Sequence, residues 1–413
     1  MTVNRCEQPS SARSAKLGPL AGLRILDIST MIAGPVAATF LADLGAEVVK
    51  AELPRTGDPF RGLPPHKNGV PLWWKVTNRN KRGITLDVRT QSGKALFERL
   101  LPHFDVLVEN FRPGTLDKWG LNKDVLWRLS PGLTILRVSG FGQTGPYRNR
   151  PGFARVFESL AGFTYISGAA DGPPMHVGFP IGDSIAGLFG ALGILSALYR
   201  RTRDPQAPGE EIDLSATEAM FRLLDFLAIE HDQLGVVRGR SGNLSEYTAP
   251  SNIYRTKDGQ WASIAASTQS IFERLVRAIG CPELIYDARF LTNEDRVRNR
   301  DAIDSIVAQW VASKSIDELR NALDSAAVVF SPVYSIDQIF RDPQFIARQA
   351  IVPVRDSELG EIRMQSVVPR FDGNQEAIAR AGPSIGEHND EIYGTLLGLS
   401  PEERGRLQAE GAI

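Results

Sequence analysis

Residues 23–52 read LRILDISTMIAGPVAATFLADLGAEVVKAE, and their pattern predicts the fold class of the protein. The apolar run Leu23–Ile28 predicts a buried strand, and Gly34–Leu44 predicts a helix whose first turn contains Pro35, where proline is well tolerated. A second apolar run, Glu47–Glu52, predicts the next strand. Two strands joined by a crossover helix form a βαβ unit, so the stretch predicts an α/β fold with a parallel, Rossmann-like sheet.

The same alternation continues along the chain. Further strands are predicted at residues 83–88, 105–109, 133–138 and 211–215, and helices at 92–101, 185–201, 216–233 and 387–396. Asp258-Gly259 predicts a hairpin turn, in a region whose sequence pattern differs from that of the preceding strands and helices. We therefore expect a disordered tail at 1–18, a large Rossmann-like domain at 19–225 that residues 335–413 complete, and a smaller α+β domain at 226–334.

Composition excludes several classes of protein. The 413 residues include 47 Lys and Arg and 48 Asp and Glu, so a net charge of -1 gives no reason to expect nucleic-acid or anionic-membrane partners. Two cysteines and five histidines without ligand spacing exclude a disulfide scaffold and a Cys-rich zinc site, so no metal is expected. The uncharged run Ile185–Tyr199 is shorter than the roughly 20 residues of a membrane span and predicts a core helix. The N-terminus lacks an apolar secretory segment, so a cytoplasmic protein is expected.

A nicotinamide oxidoreductase is one hypothesis that the residues alone allow. Glu52 ends the second strand, close to where an acid would bind a ribose. The turn after the first strand has a single glycine, however. The literal G-x-G-x-x-G motif, Gly140–Gly145, is followed by Pro146 and a segment that does not open a helix. The motif therefore favours a loop that lets backbone approach a ligand.

Three other segments are candidates for a site. Residues 78–82, Asn-Arg-Asn-Lys-Arg, form either a solvated basic turn or a phosphate grip. Asn110 and Phe111 follow a predicted strand, where open α/β sheets place ligands, and could bind and stack on a base or simply pack a loop. Asp171, followed by Gly-Pro-Pro, taken alone predicts a turn, and Asp183 predicts a helix cap.

Taken in order, the motifs resemble those of the class III coenzyme A transferases, the family of formyl-CoA:oxalate and crotonobetainyl-CoA:carnitine CoA-transferases. The resemblance covers residues 20–396. It is carried by Ala33-Gly-Pro35, Leu41–Lys50, Gly57-Asp58, Asn78–Arg82, Leu86-Asp87, Glu109–Gly114, Ser139–Gly142, Gly168–Pro174, Gly182-Asp183 and Gly386–His388.

The resemblance implies a CoA-transferase in which an aspartate attacks the donor acyl-CoA and then carries CoA as an aspartyl-CoA thioester. The family's nucleophile lies in the Gly-x-x-Asp-Gly-Pro-Pro segment, which places it at Asp171. CoA and acyl-CoA are then substrates, and no tightly bound cofactor is expected. The residues that the resemblance assigns to CoA binding are Ala33, Lys81, Asn110, Phe111, Lys118 and Trp119, with the two lysines as phosphate contacts.

This chain departs from the formyl-type enzymes at three places. Leu53 follows the strand acid where those enzymes have an arginine, and Ser139 stands where they have a lysine. Residues 241–248, Ser-Gly-Asn-Leu-Ser-Glu-Tyr-Thr, replace their tetraglycine lid. The grip on the CoA phosphates and the shielding of the intermediate are therefore expected to differ.

Two alternatives and two further expectations accompany the family prediction. One alternative is an α-methylacyl-CoA racemase, which would match Asp183 but needs a His-Asp pair where Gly152-Phe-Ala154 stands. The other alternative is a non-catalytic subunit of a heteromeric transferase.

The family implies an interlocked homodimer. The donor is expected to be succinyl-CoA and the acceptor a short dicarboxylate, with the candidate cations Arg61, Lys67, Lys75 and Arg150.

Overall fold

The computed structural model of the protein describes residues 18–204, 206–371 and 378–413. The predicted tail at 1–18 lies outside the described residues, except for Gly18. The strands, in chain order, are β1 (Arg24–Asp27), β2 (Glu47–Glu52), β3 (His66–Lys67), β4 (Val70–Pro71), β5 (Lys81–Thr85), β6 (Val106–Glu109), β7 (Thr134–Ser139), β8 (Glu211–Ser215), β9 (Ser251–Arg255), β10 (Trp261–Ala265), β11 (Phe330–Pro332), β12 (Ile351–Asp356) and β13 (Gly360–Gln365).

The helices cover both faces of the main sheet and build most of the remaining structure. They are α1 (Ala33–Asp43), α2 (Leu72–Thr77), α3 (Gln91–Leu100), α4 (Thr115–Lys118), α5 (Lys123–Leu129), α6 (Ala154–Leu160), α7 (Phe163–Ile166), α8 (Ile181–Arg203), α9 (Ala216–Arg222), α10 (Leu227–Leu234), α11 (Gln269–Ile279), α12 (Asn293–Arg298), α13 (Arg300–Ala312), α14 (Ile316–Ser325), α15 (Ile336–Ile339), α16 (Pro343–Ala347) and α17 (Pro401–Ala409). A π-helical segment, Asp390–Leu396, precedes α17.

Six strands form one sheet in the order β5-β2-β1-β6-β7-β8, and each neighbouring pair is parallel. The first strand of the chain lies inside the sheet, where Leu26 pairs with Val49 on one side and with Leu107 on the other. The predicted Rossmann-like parallel α/β sheet is therefore confirmed.

Alternation along these strands creates two cores. Ile25 points into one apolar cluster with α1 and α8, while Leu26, the next residue, points into a second cluster on the opposite face. The second cluster includes Tyr393 and Ile413, so the C-terminal segment forms part of this core. The Tyr393 hydroxyl also donates a hydrogen bond of 2.7 Å to the carbonyl oxygen of Thr85 at the end of β5.

Small residues let α8 lie very close to α1. Ala37 of α1 is fully buried, and the buried residues of α8 include Gly187 and Gly190. A Cβ atom at Gly187 would lie 2.6 Å from Cγ1 and 2.9 Å from Cβ of Val36. The helix is long and apolar enough for a membrane span by composition alone, but its small-residue face packs in the core of the sheet, as the sequence predicts.

We expect Gly187→Ala to lower the free energy of unfolding by about 1–3 kcal/mol, because the new methyl group overpacks the contact with α1. Gly405→Ala is the matched control: Gly405 lies inside α17, and a Cβ atom there meets nothing within 4 Å. That substitution should stabilise the protein by about 0.5–1 kcal/mol through helix propensity. Urea unfolding of both variants checks the opposite signs, and equal shifts would contradict the close approach of α8 to α1.

Two compact units divide the chain. The first contains the residues up to Ala161 together with Phe179–Leu223 and Gln349–Ile413, and the second contains Gly162–Gly178 and Leu224–Arg348. The second unit is an α+β structure with an antiparallel sheet in the order β11-β10-β9 and a separate apolar core. Unlike the predicted division, residues 162–178, which include Asp171, belong to this second unit, because backbone and side-chain hydrogen bonds join them to residues 240–242.

The sequence prediction differs from the structure at three places: one strand boundary, one interrupted helix and one helix that was not predicted. The strand predicted at 83–88 runs instead from Lys81 to Thr85 and thereby carries Lys81 into the sheet. The helix predicted at 216–233 is interrupted between α9 and α10, where Asp225 has φ 45°. The prediction also ended the chain with the helix at 387–396 and missed α17, whose Ser400 and Glu403 form a capping box.

Candidate active site

A cavity of about 290 Å³ opens at the carboxyl ends of β1, β2, β5 and β6. We call it the aromatic cavity, because Phe111 and Trp119 form part of its wall. Their rings meet edge to face with centroids 5.1 Å apart and an interplanar angle of 72°. Apolar side chains that directly follow strand ends, Ile28 and Leu86, line it as well. Such a slot at the carboxyl edge of a parallel sheet suits a flat aromatic group such as a nucleotide base.

Two hydrogen-bonded side chains fix the loop that carries Phe111. The Asn110 amide joins this loop to the end of β1: its Oδ1 accepts a hydrogen bond from the Thr30 backbone N–H at 2.7 Å, and its Nδ2 donates to the Thr30 carbonyl oxygen at 2.6 Å. Glu109 Oε2 accepts the Phe111 N–H at 2.7 Å. Burial raises the pKa of Glu109 to about 7, although the Arg137 guanidinium opposes this shift. Asn110 therefore acts here by joining two loops.

A second, smaller cavity of about 150 Å³ shares Phe111 with the first. We call it the arginine pocket, because Arg112, Arg148 and Arg150 all line it. None of these three guanidinium groups pairs with a carboxylate of the described residues; Arg150 lies over the Tyr147 ring, 3.6 Å from its centroid. Three uncompensated positive charges around one cavity suit an anionic group such as a phosphate or a carboxylate.

Lys81 does not reach either cavity. Its side chain is fully buried, and Nζ donates to Asp27 Oδ2 at 2.9 Å, to the Pro35 carbonyl oxygen at 2.7 Å and to Asn78 Oδ1 at 3.0 Å. Burial lowers the pKa of Lys81 to about 8, opposed by the charge of Asp27. The resemblance assigns Lys81 to a phosphate contact, whereas in the structure β5 begins at Lys81 and the side chain of this residue is buried.

Lys81 belongs to a buried ion cluster that also contains Asp27, Lys50 and Asp58, and Asp58 lines the aromatic cavity. Lys50 Nζ lies 3.4 Å from Asp58 Oδ2 and 3.9 Å from Asp27 Oδ1, and all three side chains are buried. Asp58 Oδ1 accepts the N–H of Met31 at 3.1 Å and that of Phe60 at 2.9 Å. The cluster thus fixes the loop between β1 and α1.

The remaining predicted CoA residues of this unit lie around the same edge. Ala33 is buried at the start of α1, and a Cβ atom at the neighbouring Gly34 would lie 3.6 Å from the Asn110 Cβ atom. Lys118 is exposed at the end of α4, next to Trp119. Of the predicted CoA residues, Phe111 and Trp119 line the aromatic cavity, and Ala33, Asn110 and Lys118 lie beside its loops. The buried Lys81 lines neither cavity.

Two of the cations considered for an acceptor are already paired. Arg61 forms a two-pronged ion pair with Glu52, with 2.7 Å for both contacts, and its guanidinium lies over the Trp74 ring. Lys75 is buried against Asp356 at 2.8 Å and Glu358 at 2.6 Å. Both oxygens of the Glu52 carboxylate accept hydrogen bonds from Arg61, so this acid has a structural role in the protein.

Asp171 lies in the second unit, on a loop that we call the Asp171 loop, residues 167–175. Its side chain is exposed, and no hydrogen bond or ion pair from the described residues reaches its carboxylate. The loop is closed by hydrogen bonds from the Gly172 N–H to the Ala169 carbonyl oxygen at 3.0 Å and from the Met175 N–H to the Ser167 carbonyl oxygen at 2.9 Å. An unpaired, accessible carboxylate is what a nucleophile requires.

The start of α8 holds a buried carboxyl pair. Glu158, not Asp183, caps this helix: Glu158 Oε1 accepts the Gly182 N–H at 3.1 Å. The pKa of Asp183 is raised to about 7, mainly by burial and further by the charge of Glu158. Phe153 and Ala154, which follow Gly152, supply neither of the two bases of the His-Asp pair that racemase chemistry would require.

We expect Asp183→Asn to stabilise the protein at pH 8 by about 1–3 kcal/mol and much less at pH 5. The unfolded carboxyl has a pKa of 3.8 and the folded one about 7, so between these values the unfolded chain has already lost the proton that the folded chain keeps. Stability therefore falls as pH rises towards 7, and asparagine removes this loss. Thermal melting at both pH values measures it, with Asp324→Asn, an exposed site, as control. A gain that is equal at both pH values would contradict the raised pKa.

Residues 20–389 match the family model described as CoA-transferase family III, so the chain belongs to that family. The predicted resemblance is thereby confirmed, and the protein is a CoA-transferase.

Particular relatives of known activity are similar over nearly the whole length. The succinyl-CoA–D-citramalate CoA-transferase of Chloroflexus aurantiacus is 44% identical over 396 residues, which cover 96% of this chain and 98% of the relative. The alpha subunit of a succinyl-CoA–L-malate CoA-transferase of the same organism is 39% identical over 398 residues, 96% of this chain and 92% of its own.

The fold has a close counterpart among solved structures. A CAIB/BAIF family protein from Brucella suis superimposes with a TM-score of 0.81 and 31% identity, covering 92% of this chain and 100% of that chain. The agreement extends over almost the whole of both chains, so the α/β architecture described above is that of a known group.

Sequence reasoning missed several residues of these cavities. Arg112 and Arg148 line the arginine pocket, and Arg89, which pairs with Asp87 at 2.7 Å, lines the aromatic cavity. A signal for two of them was present: Arg112 and Arg89 follow closely after β6 and β5, where ligands of parallel sheets bind. Arg148 lies in an irregular loop, and no local pattern pointed to it.

Proposed function

We propose that the protein transfers CoA from succinyl-CoA to a short dicarboxylic acid through an aspartyl-CoA thioester on Asp171. The observation that carries the proposal is the accessible, unpaired Asp171 carboxylate within the segment Gly168–Pro174 of a family III CoA-transferase. The donor and the acceptor class are supported by the relatives that act with succinyl-CoA on citramalate and malate.

The chemistry consists of four balanced displacements. An Asp171 carboxylate oxygen attacks the succinyl carbonyl carbon; the C–S bond breaks and leaves a mixed anhydride and CoA thiolate. The thiolate attacks Cγ of Asp171 and releases succinate, so the enzyme now holds an aspartyl-CoA thioester. The acceptor carboxylate then displaces the thiolate from Cγ, and the thiolate attacks the acceptor acyl carbon and frees Asp171. Each step exchanges one acyl bond for another, so the free energy of the thioester is conserved.

The aromatic cavity is the proposed site of the CoA adenine. Phe111 and Trp119 would contact the base, and the exposed Lys118 beside them would contact a phosphate. Ala33 and Asn110 would shape the floor of this site through the loop contacts described above.

The arginine pocket is the proposed site of the CoA diphosphate. It shares Phe111 with the aromatic cavity, so a bound molecule can pass from one to the other, and its guanidinium groups are not paired with carboxylates of the described residues. Arg112, Arg148 and Arg150 would thus supply the positive charge for the phosphates. The buried Lys81 does not supply it, and Leu53 and Ser139 stand where the formyl-type enzymes have an arginine and a lysine. Lys81 would have a structural role in the buried ion cluster.

The experiment for this proposal follows succinyl-CoA consumption and new acyl-CoA formation by liquid chromatography with a panel of acceptors. The expected result is transfer to four- to six-carbon dicarboxylates and little transfer to monocarboxylates of equal length. Monocarboxylates that outperform every dicarboxylate would overturn the acceptor class. Exchange of the acyl-CoA α-proton with solvent deuterium, without CoA transfer, would instead favour the racemase.

We also propose that the protein acts as a cytoplasmic homodimer. Leu188, Leu192 and Tyr199 on α8 are 56%, 57% and 66% exposed, and an apolar stripe of this kind is a typical contact surface for a second chain. Light scattering should give twice the mass of the chain. A stable monomer would contradict this proposal, and activity that needs a second, different chain would favour a heteromer.

A further inference from the structure

We infer that Arg240 is a positioning residue that sets the geometry of the Asp171 loop. The inference rests on the proposed function, because it assigns Asp171 the role of nucleophile, and it adds a residue outside the motifs that define that role.

Arg238 and Arg240 use their charges differently. Arg238 is paired with carboxylates, with contacts to Glu230 at 2.5 Å and 2.7 Å and a further contact to Glu246. Arg240 has no carboxylate partner among the residues that the structure describes. Its guanidinium binds backbone carbonyl oxygens instead, although it is half-buried and carries a full positive charge.

Both carbonyl groups belong to the chain around Asp171. Nε of Arg240 donates to the carbonyl oxygen of Gly172, the residue that directly follows Asp171, at 2.9 Å. Nη1 donates to the carbonyl oxygen of Tyr165, in α7 just before the loop, at 3.0 Å. One rigid guanidinium therefore connects the helix before the loop with the residue after Asp171, and it fixes the distance between them.

A backbone contact two residues later holds the same loop from its other end. The Gly242 N–H donates to the Gly168 carbonyl oxygen at 2.9 Å. Gly168 has φ +125°, and a Cβ atom there would lie 2.8 Å from the Pro173 carbonyl oxygen and 3.2 Å from Cδ of Arg240. The segment 240–242 and the Asp171 loop thus fit closely, and only glycine fits at position 168.

This arrangement has a consequence for the first displacement. The Asp171 carboxylate receives no hydrogen bond from the described residues, so its direction depends on the backbone that carries it. Arg240 binds the carbonyl oxygen of Gly172, the residue that follows Asp171, and so helps to hold this backbone in place. Loss of the guanidinium should therefore affect the rate of bond formation much more than the binding of succinyl-CoA, since a misplacement of about 1 Å can cost about 100-fold in rate.

The test compares Arg240→Gln and Arg240→Lys with Arg238→Gln in single-turnover reactions with succinyl-CoA. We expect Arg240→Gln to lower the rate of acyl transfer to the enzyme by about 100-fold with KM for succinyl-CoA changed less than about 3-fold. Arg240→Lys, which keeps the charge but cannot bind both carbonyl groups with one planar group, should lose about 10-fold. Arg238→Gln, which removes pairs that do not touch the Asp171 loop, should stay within about 3-fold of the parent.

Added ethylguanidine should restore part of the rate to Arg240→Ala, a readout that a general loss of stability would not produce. Equal rates for Arg240→Gln and Arg238→Gln, or a rise in KM without a change in kcat, would overturn the inference. If Arg240→Gln fails to fold, Arg240→Lys decides: a parental rate overturns the inference. Asp171→Ala, measured in parallel, separates the two claims. If the enzyme is still acylated in Asp171→Ala, the proposed function is wrong. If acylation is lost in Asp171→Ala but proceeds at the parental rate in the Arg240 variants, only this inference is wrong.

Discussion

Asp171→Ala is expected to lower kcat for CoA transfer by about 10⁴-fold or more, the largest effect of any single substitution that we predict. The acyl group and CoA are carried in turn by the same carboxylate in the proposed reaction, so no step remains once it is removed. KM for succinyl-CoA should change little, because the aromatic cavity and the arginine pocket lie in the other unit of the chain. Steady-state kinetics with the best acceptor from the panel measure both constants.

Alanine is preferable to asparagine at this position. The next residue is Gly172, and an Asn-Gly pair deamidates readily, which would regenerate the carboxylate and give a false residual activity. Asp324→Ala, an exposed aspartate in α14 of the same unit, is the matched control and should keep parental kinetics. An Asp171→Ala variant with more than a few per cent of parental activity, or a control that is equally inactive, would contradict the assignment.

Phe111→Ala is expected to raise KM for succinyl-CoA by about 10- to 100-fold while kcat at saturation changes little. Phe111 borders both cavities and packs edge to face on Trp119, so its loss removes one wall of the aromatic cavity and opens it to the arginine pocket. An aromatic contact with a base is worth about 1–3 kcal/mol, which corresponds to the predicted change in KM.

A matched control for this substitution is Tyr286→Ala. Tyr286 is 81% exposed, belongs to the second unit and lines neither cavity, so its removal should leave KM unchanged. Initial rates over a range of succinyl-CoA concentrations distinguish the variants. A Phe111→Ala variant with parental KM would show that the adenine binds elsewhere.

The fold was predictable because its signals are local and repeated. Apolar runs such as Leu23–Ile28, separated by a helix-length segment, specify parallel strands, and the alternation of Ile25 and Leu26 between two cores follows from strand geometry. Boundaries were less predictable. Nothing local shows that the strand begins at Lys81, because a lysine is buried only when a partner such as Asp27, 54 positions away in the chain, neutralises it.

The site was predictable in part for a similar reason. Phe111 and Trp119 could be expected at the edge of the sheet, since they follow a strand that ends at Glu109. The roles of Arg61 and Lys75 could not be predicted, because these side chains form ion pairs with Glu52 and Asp356 that exist only in the folded chain. Arg240 was equally hidden, for its partners are backbone carbonyl groups that leave no trace in the sequence.

The thioester between CoA and Asp171 can be observed by intact-protein mass spectrometry of the enzyme quenched in acid within seconds of mixing with succinyl-CoA. We expect a species heavier than the chain by CoA minus one water, located by peptide mapping to the fragment that contains Asp171, and absent from Asp171→Ala. An enzyme that transfers CoA under the same conditions but carries this mass on another residue, or carries no covalent acyl or CoA group at any time during turnover, would contradict it.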